Sequence, residues 1–395
     1  MKKIIALFLA AVLVFSSAVF AYAKDDKTLS FSEDGTFTIL HLTDPQDDQN
    51  LSYDMLNLLK LSLEQSKPDL VVFTGDMVED RRSADPGVDD DGTREGVCVY
   101  DADGNIVYDE TLKNIETTTD AVLSVFNDAK IPFAIAQGNN DHGVGISNET
   151  WLELYSKYEY CLTKDESNDS DGRIDYNLEI KGYGSDETKF NIWMMDTGTK
   201  GVTKEQINWY KSESSALAAA NGGKPVPAFN FQHIHTTDIG KLFKFCPVWK
   251  EGAMFDGIFT YRLNRDIAKG HYEEAIRPQP LTAQFKAWKA QGDVIGTYFG
   301  HQHYDGYTGT YKGIEMGFTY GCEFSKSGPY GYRVITLHED DITNYENELY
   351  VYTGSVLTGD AAVSVQQDEQ YKTYTTCEEK WDAFWKNIVA AFETI

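Results

Sequence analysis

The chain has 395 residues, of which 42% are hydrophobic and 25% charged, and its formal net charge at pH 7 is −27. This length suits one large α/β domain with additions. An acidic surface repels nucleic-acid backbones and anionic lipid, which argues against a nucleic-acid duplex as partner. A small phosphate ester is not excluded, because a bound metal ion can reverse the field locally.

The first 23 residues are typical of a cleaved secretory signal. Lys2 and Lys3 precede an apolar run from Ile4 to Phe20, and an Ala-x-Ala site ends at Ala23. The alternative is an uncleaved anchor, but the polar residues that follow favour cleavage. We expect an exported protein without membrane insertion, whose net charge changes from −27 to −29 when the two lysines are removed. The oligomeric state cannot be read from the sequence.

A strand–helix–strand unit opens the mature chain. Phe37–Leu42 predicts a first strand that leads to Asp44, and apolar residues at helical spacing predict a helix over 53–66. The unbroken apolar run Leu70–Phe73 predicts a strand buried on both faces, which presents Asp76 soon after it ends. This order implies that the two strands are parallel neighbours.

Residues 81–111 interrupt this pattern with acidic, turn-rich segments. We expect a surface insertion with a short hairpin around Asp101–Asn105. A calcium loop is the alternative, but the EF-hand spacing with its terminal Glu is absent.

The middle of the chain alternates helices and strands. Predicted elements are a helix over 115–129, a strand over 131–136 that ends in Gln137–His142, a helix over 151–160, strands over 176–180 and 190–196, a capped helix over 203–220 and a strand over 226–232 that leads to His233. Residues 241–280 lack a clear period, and we expect them to roof or flank the site. A helix over 281–291 and a strand over 294–299 lead to Gly300–His303, and residues 307–337 have the alternation of meandering strands. The second half therefore predicts a second sheet packed on the first.

The assignment divides the chain into a domain over 24–338 and a C-terminal extension over 339–395. Leu349–Tyr352 has strand character, and a helix is predicted from about Glu378 with aromatic residues on one face. The opposite face carries mixed charges, whereas a membrane-surface helix carries basic ones. We therefore expect this helix to dock onto the domain.

Seven candidate metal ligands follow apolar runs: Asp44, Gln46, Asp76, Asn139, His233, His301 and His303. In α/β proteins the carboxyl ends of the strands face the crevice that holds ligands. The five cysteines show no C-x-x-C spacing, and the carboxylate, amide and imidazole donors suit Mn, Fe or Zn rather than calcium. Taken singly, each histidine is better explained as a core or surface residue. Two adjacent ions of Mn, Fe or Zn would hold the attacking and leaving oxygens of a phosphoryl transfer and generate hydroxide at neutral pH.

Five ordered motifs resemble those of calcineurin-like metallophosphoesterases: Asp44-x-Gln46, Gly75–Glu79, Gly138–Asp141, His233 and Gly300–His303. The resemblance covers roughly residues 37–337 and is greatest to the secreted purple-acid-phosphatase-like branch. It implies a four-layer αββα sandwich with two mixed β-sheets and a dinuclear metal centre. It also implies that Asp44, Gln46 and His303 serve the first metal, that Asn139, His233 and His301 serve the second, and that Asp76 bridges them.

The sequence departs from this family at three positions. Gln46 replaces the usual histidine, which implies a weaker first site. Asn140 replaces the histidine that protonates the leaving alkoxide or stabilises the phosphoryl group, and loss of general acid help typically costs ~10²–10⁴-fold in rate. His142, two residues further on, is the candidate substitute. Glu79 stands where purple acid phosphatases have a tyrosine ligand, so no coloured iron–tyrosinate centre is expected.

The leading hypothesis is therefore an exported, metal-dependent phosphoesterase. Esters whose leaving groups need no proton should suffer least from Asn140. The competing hypothesis is a former enzyme that keeps the metals and a phosphate-binding crevice but turns over little. An α/β domain with coincidental ligands is a third and blander interpretation.

Overall fold

The computed structural model describes residues 28–80, 96–167, 172–250, 252–256, 259–273, 282–324, 328–352 and 356–357. The predicted signal segment at 1–23 and the predicted helix from about Glu378 lie outside these residues, as do residues 81–95 of the predicted insertion. No helix within the described ranges has the length and apolar character needed to cross a membrane.

The described residues form helices and strands that alternate in the first part of the chain, whereas strands dominate the second part. The helices are α1 (Tyr53–Ser66), α2 (Tyr108–Asp128), α3 (Asn139–Gly143), α4 (Asn148–Tyr155), α5 (Lys204–Ala220) and α6 (Gln284–Gln291). The strands are β1 (Thr36–Leu42), β2 (Leu70–Phe73), β3 (Phe133–Ile135), β4 (Tyr176–Lys181), β5 (Thr188–Met195), β6 (Ala228–Gln232), β7 (Phe243–Phe245), β8 (Met254–Asp256), β9 (Phe259–Leu263), β10 (Ala268–His271), β11 (Val294–Phe299), β12 (Gly306–Tyr311), β13 (Ile314–Phe318), β14 (Tyr330–His338), β15 (Glu346–Tyr352) and β16 (Val356–Leu357).

Two mixed sheets carry the fold. The first sheet has the order β16-β15-β14-β1-β2-β3, with β1, β2 and β3 parallel and β14 antiparallel to β1. The second sheet has the order β10-β12-β13-β11-β6-β5-β4, with β5, β6, β11 and β13 parallel. A small antiparallel sheet, β7-β9-β8, has no strand pairing with either, although Phe243 of β7 packs on Tyr307 of β12.

Helices cover the outer faces, which gives the four layers. One core contains Leu40 and Phe73 of the first sheet together with Phe231 and Tyr298 of the second, so the two sheets pack face to face. Helices α1 and α2 close this core on its outer side. A second core around Trp193 lies between the second sheet and helices α5 and α6. The predicted αββα architecture is confirmed.

The β1–α1–β2 unit forms as predicted and places the residues after β1 and β2 next to each other. Ser52 caps α1 by accepting a hydrogen bond from the Met55 amide, and α1 ends at Lys67, whose φ is 45°. The parallel register pairs Leu42 with Phe73, so β1 and β2 end side by side. The residues that follow these strands are therefore neighbours.

Two helices begin earlier than the sequence predicts. Helix α2 starts at Tyr108 rather than 115, because the buried residue of the added segment is Thr111, which does not contribute to a pattern of apolar residues. Helix α4 covers Asn148–Tyr155 rather than 151–160, since the Ser147 hydroxyl caps it by accepting from the Thr150 amide. The predicted hairpin is present as a bridge between Tyr100 and Ile106.

The strands in the second half of the chain do not all belong to one meandering sheet. Within residues 307–337, β12 and β13 belong to the second sheet, whereas β14 crosses to the first sheet and pairs with β1. The described part of 241–280 contains the small sheet and β10, which forms the edge of the second sheet beside β12. The aperiodic sequence of this region reflects short strands rather than irregular loop.

Candidate metal centre

Every candidate ligand follows the carboxyl end of a parallel strand. Asp44 and Gln46 follow β1, Asp76 follows β2, Asn139 follows β3, His233 follows β6, and His301 and His303 follow β11. The strands end level with one another, since Phe73 pairs with Ile135 and Gln232 pairs with Phe299. The two sheets therefore bring all seven side chains to one edge of the sandwich.

Two groups of donor atoms converge there, and Asp76 belongs to both. Asp76, His233 and His301 each offer an atom within 4.8 Å of the others, and so do Asp44, Asp76 and His303. A carboxylate shared in this way is the arrangement that two adjacent cations require. Carboxylate and imidazole donors together suit metals of borderline hardness.

The two amide residues lie against these groups. Asn139 Oδ1 is 3.1 Å from His233 Nε2, which places it beside the Asp76–His233–His301 group. The Gln46 main-chain amide donates to the Asp76 carbonyl at 2.9 Å, and its side-chain Nε2 donates to Glu79 Oε2 at 2.9 Å. Because Nε2 is directed at Glu79, the carbonyl oxygen occupies the other arm of the Gln46 amide.

His233 is fully buried between carboxylates. Its Nε2 lies 3.2 Å from Asp76 Oδ2, and its Nδ1 donates to the Thr74 carbonyl at 2.6 Å. Burial alone would lower the pKa of this ring, but Asp76 and Asp44 outweigh burial and raise the pKa to about 9. The two carboxylates thus favour the protonated form of this imidazole.

His303 is held from both sides. Its Nε2 lies 3.3 Å from Asp44 Oδ1, and its Nδ1 contacts Glu323 Oε2. Burial opposes the charged ring, but Asp44 and Glu323 raise the pKa of His303 to about 10. Burial likewise opposes charge on Asp44, yet His303 and His233 hold the pKa of this carboxyl well below its usual range. A metal ion would replace the imidazole protons in this cluster.

Four candidate ligands have left-handed backbone conformations. The φ angles are 49° at Asp44, 37° at Gln46, 49° at Asp76 and 73° at His301. Such conformations cost side-chain-bearing residues about 1–3 kcal/mol each and concentrate at functional sites. Main-chain hydrogen bonds hold them, including the Asp44 amide to the Gly75 carbonyl at 3.1 Å.

A close approach between two loops requires glycine at position 138. A Cβ on Gly138 would lie 2.2 Å from Asp76 Oδ1, so any larger residue would displace the shared carboxylate. The same contact lets the Asn140 amide donate to Asp76 Oδ1 at 2.7 Å. The Asp141 carboxylate closes this turn by accepting from the amides of Met77 and Gly138 at 2.8 and 2.9 Å.

Asn140 presents a hydrogen-bond donor beside the shared carboxylate. Its side chain is buried, and its Oδ1 accepts from Asn139 Nδ2 at 2.7 Å. That contact leaves Nδ2 on the opposite arm, and no acceptor lies within hydrogen-bond distance of it among the described residues. An amide in this position can donate a hydrogen bond but cannot transfer a proton.

His142 lies outside both donor groups and pairs with Asp196. The His142 Nε2 to Asp196 Oδ1 distance is 2.7 Å, and the His142 side chain is 20% exposed while that of Asp196 is fully buried. Burial lowers the pKa of His142, but Asp196 outweighs burial and the net shift is upward. Asp196 also accepts from the Gly198 amide at 2.8 Å.

Two carboxylates that contact candidate site histidines were not identified from the sequence. Asp196 directly follows the apolar strand β5, so the signal that marks Asp76 could have marked it too. Glu323 comes five residues after β13 ends and carries no strand-end signal. Its contact with His303 depends on how residues 319–323 cross the site.

Comparison with known proteins identifies similar chains. The sequence profile of the calcineurin-like phosphoesterase family matches residues 37–305. Probable inactive purple acid phosphatase 14 of Arabidopsis thaliana is 22% identical over 350 residues, which cover 80% of this chain and 77% of that protein. Probable inactive purple acid phosphatase 29 of the same plant is 22% identical over 78% of this chain and 77% of its own length. A dimetal phosphatase from Danio rerio aligns in structure over 82% of this chain and 98% of its own, with 12% identity and a TM-score of 0.46.

Proposed function

The chain belongs to the calcineurin-like phosphoesterase family, and we propose that it is a metal-dependent phosphoesterase that hydrolyses small phosphate esters at a dinuclear centre. The observation that carries this proposal is the position of Asp76, whose carboxylate belongs to both groups of donor atoms. A single-metal site would not need a shared carboxylate between two sets of histidines.

The proposed ligands divide between two ions. Asp44, Gln46 and His303 would hold the first, Asn139, His233 and His301 the second, and Asp76 both. When bound, two Mn, Fe or Zn ions supply Lewis-acid stabilisation of the phosphoryl oxygens and activate a water molecule. The donor chemistry and the left-handed backbone at four of these residues support the assignment.

Asn140 and His142 would together perform the role of the histidine that the family has at position 140. Asn140 Nδ2 would donate a hydrogen bond to a phosphoryl oxygen, since it is a buried donor without an acceptor among the described residues and the main-chain amide of Asn140 bonds Asp76. His142 would protonate the leaving alkoxide. Because Nε2 already bonds Asp196, the proton available for transfer is the one on Nδ1. Asp196 keeps this ring charged to a higher pH than an ordinary histidine.

We also propose that the protein acts outside the cytoplasm, after removal of residues 1–23. The basic start, apolar core and Ala-x-Ala site support export. The acidic composition suits a small phosphorylated substrate reached through the metal centre rather than a long polyanion.

A binding protein is the second candidate. Asn140 lacks the proton-transfer ability of histidine, and the Arabidopsis relatives carry the words "probable inactive" in their names. Such a protein would keep two metals and bind a phosphate group but hydrolyse esters slowly. The two candidates share a metal centre and differ in turnover.

Hydrolysis of p-nitrophenyl phosphate separates them. The mature protein would be loaded separately with Mn, Zn and Fe, with Asp76→Asn as the blank and exposed Asp186→Asn as the matched charge-removal control. Metal-dependent turnover that disappears in Asp76→Asn and persists in Asp186→Asn is the expected result. No turnover above the blank, with two metals bound per chain, would overturn the enzyme and favour the binding protein.

A further inference from the structure

Residues 319–323 form a strap that crosses the candidate centre after β13. The Gly321 amide donates to the His303 carbonyl at 3.0 Å, and the Cys322 amide donates to the Thr43 carbonyl at 2.9 Å. A Cβ on Gly321 would lie 3.3 Å from the His303 Cβ and 3.4 Å from the Asp44 Cβ, so the strap packs tightly on both. These contacts fix the register that delivers Glu323 to His303.

Glu323 is a buried carboxylate on the nitrogen of His303 that faces away from the donor group. Its residue is only 3% exposed, and its Oε2 contacts His303 Nδ1 while Nε2 faces Asp44. A carboxylate in this position fixes the tautomer and the ring orientation of a metal-binding histidine and raises its basicity. Burying a carboxylate is costly unless it is paired in this way.

A second buried carboxylate does the same for Gln46. Glu79 is 7% exposed and accepts from Gln46 Nε2 at 2.9 Å, and it belongs to neither donor group. Hydrogen bonding of the amide NH₂ to an anion polarises the amide, so its carbonyl oxygen becomes more negative. Both neutral donors proposed for the first metal are thus supported by a carboxylate.

Two of the three donors proposed for the second metal, His233 and Asn139, have neutral supports instead. His233 Nδ1 donates to the Thr74 carbonyl at 2.6 Å, and Asn139 Nδ2 donates to the Asn140 amide oxygen at 2.7 Å. His303 and Gln46 therefore have charged supports, whereas His233 and Asn139 have neutral ones. An amide is a weaker ligand than an imidazole, and the first site is the one where Gln46 must serve.

We propose that Glu323 and Glu79 are positioning residues that strengthen the first metal site by orienting and polarising His303 and Gln46. This inference rests on the proposed dinuclear centre. Loss of Glu323 should weaken one site selectively, because the partner groups of His233 and Asn139 are untouched. Removal of such a supporting group typically lowers metal affinity by about 10–100-fold.

Mn²⁺ titration of the metal-free mature protein by calorimetry tests the inference. Wild-type protein should bind two ions, and Glu323→Gln should bind one of them about 10–100-fold more weakly while the other changes little. Glu323→Asp should recover part of the lost metal affinity. The shorter side chain keeps the negative charge but places it farther from His303. Glu79→Gln should weaken the same ion and provides a second test if Glu323→Gln fails to fold. Glu273→Gln is the matched control, since Glu273 bonds buried His271 at 3.0 Å outside both donor groups.

The possible outcomes distinguish failure of this inference from failure of the proposed function. If wild type binds two ions and folded Glu323→Gln binds both with wild-type affinity, the positioning role is refuted and the centre stands. If both ions weaken equally, Glu323 acts through general structure and the inference again fails. If wild type binds no Mn²⁺, Zn²⁺ or Fe²⁺, the proposed function itself is refuted.

Discussion

Replacing His142 with alanine separates proton donation from metal binding. The ring lies outside both donor groups and is anchored by the 2.7 Å contact with Asp196. His142→Ala should therefore leave metal binding intact and remove only the proposed proton donor. General acid catalysis contributes typically ~10²–10⁴-fold, which is about 3–5 kcal/mol of activation free energy.

The expected loss depends on the leaving group. Turnover of glycerol phosphate should fall by about 10²–10⁴-fold, because an alkoxide must be protonated as it leaves. Turnover of p-nitrophenyl phosphate should change by less than about threefold, since nitrophenolate leaves without a proton. The fold should survive, because Asp196 keeps its bonds from the amides of Gly198 and Ile174 at 2.8 and 3.2 Å. Loss of one buried partner costs about 1–3 kcal/mol of unfolding free energy.

The upward pKa shift of His142 gives the pH dependence a definite sign. The shift lies upward from 6.5 in the folded state, so the stabilisation from the charged pair is fully present below pH 6.5 and is lost as pH rises through the folded pKa. The unfolding free energies of wild type and His142→Ala should therefore differ most at acidic pH and converge at alkaline pH. Glycerol phosphate hydrolysis by wild type should decline over the same rise in pH.

Parallel kcat measurements on both esters provide the assay. His338→Ala is the control, because His338 pairs with Glu346 at 3.6 Å and lies at the opposite end of β1, beside Thr36. Equal losses on the two esters would refute the general acid role of His142. So would full activity of the variant on glycerol phosphate.

Three further changes test other parts of the site and fold. In the His142→Ala background, Asn140→His should recover glycerol phosphate turnover by up to about 10²-fold and leave p-nitrophenyl phosphate turnover nearly unchanged, because it restores a proton donor; an unchanged alkyl rate would show that a histidine at position 140 does not protonate the leaving group. Gly138→Ala should lower Mn²⁺ affinity by at least about tenfold in a calorimetric titration, since its Cβ would lie 2.2 Å from Asp76 Oδ1; wild-type affinity would contradict the close approach. Thr203→Ala should lower the unfolding free energy in urea by about 1 kcal/mol without changing kcat, because it removes the α5 capping box with Gln206; no change would mean that the cap contributes nothing.

The sequence predicted the positions of the candidate ligands because strand ends are a local signal. The run Leu70–Phe73 is fully buried in the structure, and Asp76 follows it at the edge where β1 also ends. Parallel strands must end at a common edge, so five such signals predict one site without knowledge of the packing. The metal-binding roles of these residues stay predictions until ions are measured.

The supporting contacts could not be predicted because they join distant segments. His303 and Glu323 are 20 positions apart, and their contact depends on the strap register over the ends of β1 and β11. His142 lies in α3, which follows β3 of the first sheet, whereas Asp196 follows β5 of the second sheet. Helix α2 began earlier than predicted because the buried residue of its first turns is Thr111, which is not apolar. Each case turns on tertiary packing rather than local pattern.

Each proposed metal would also act as a cross-link between the halves of the sandwich. Asp44 and Asp76 come from the first sheet, whereas His233 and His303 come from the second, and they meet only at this edge. A ligand at 100 times its dissociation constant stabilises the folded state by about 2.7 kcal/mol. If the protein is exported as proposed, its resistance to proteases would depend on the trace-metal content of its surroundings, so metal scarcity would shorten the lifetime of the molecule as well as stop its chemistry.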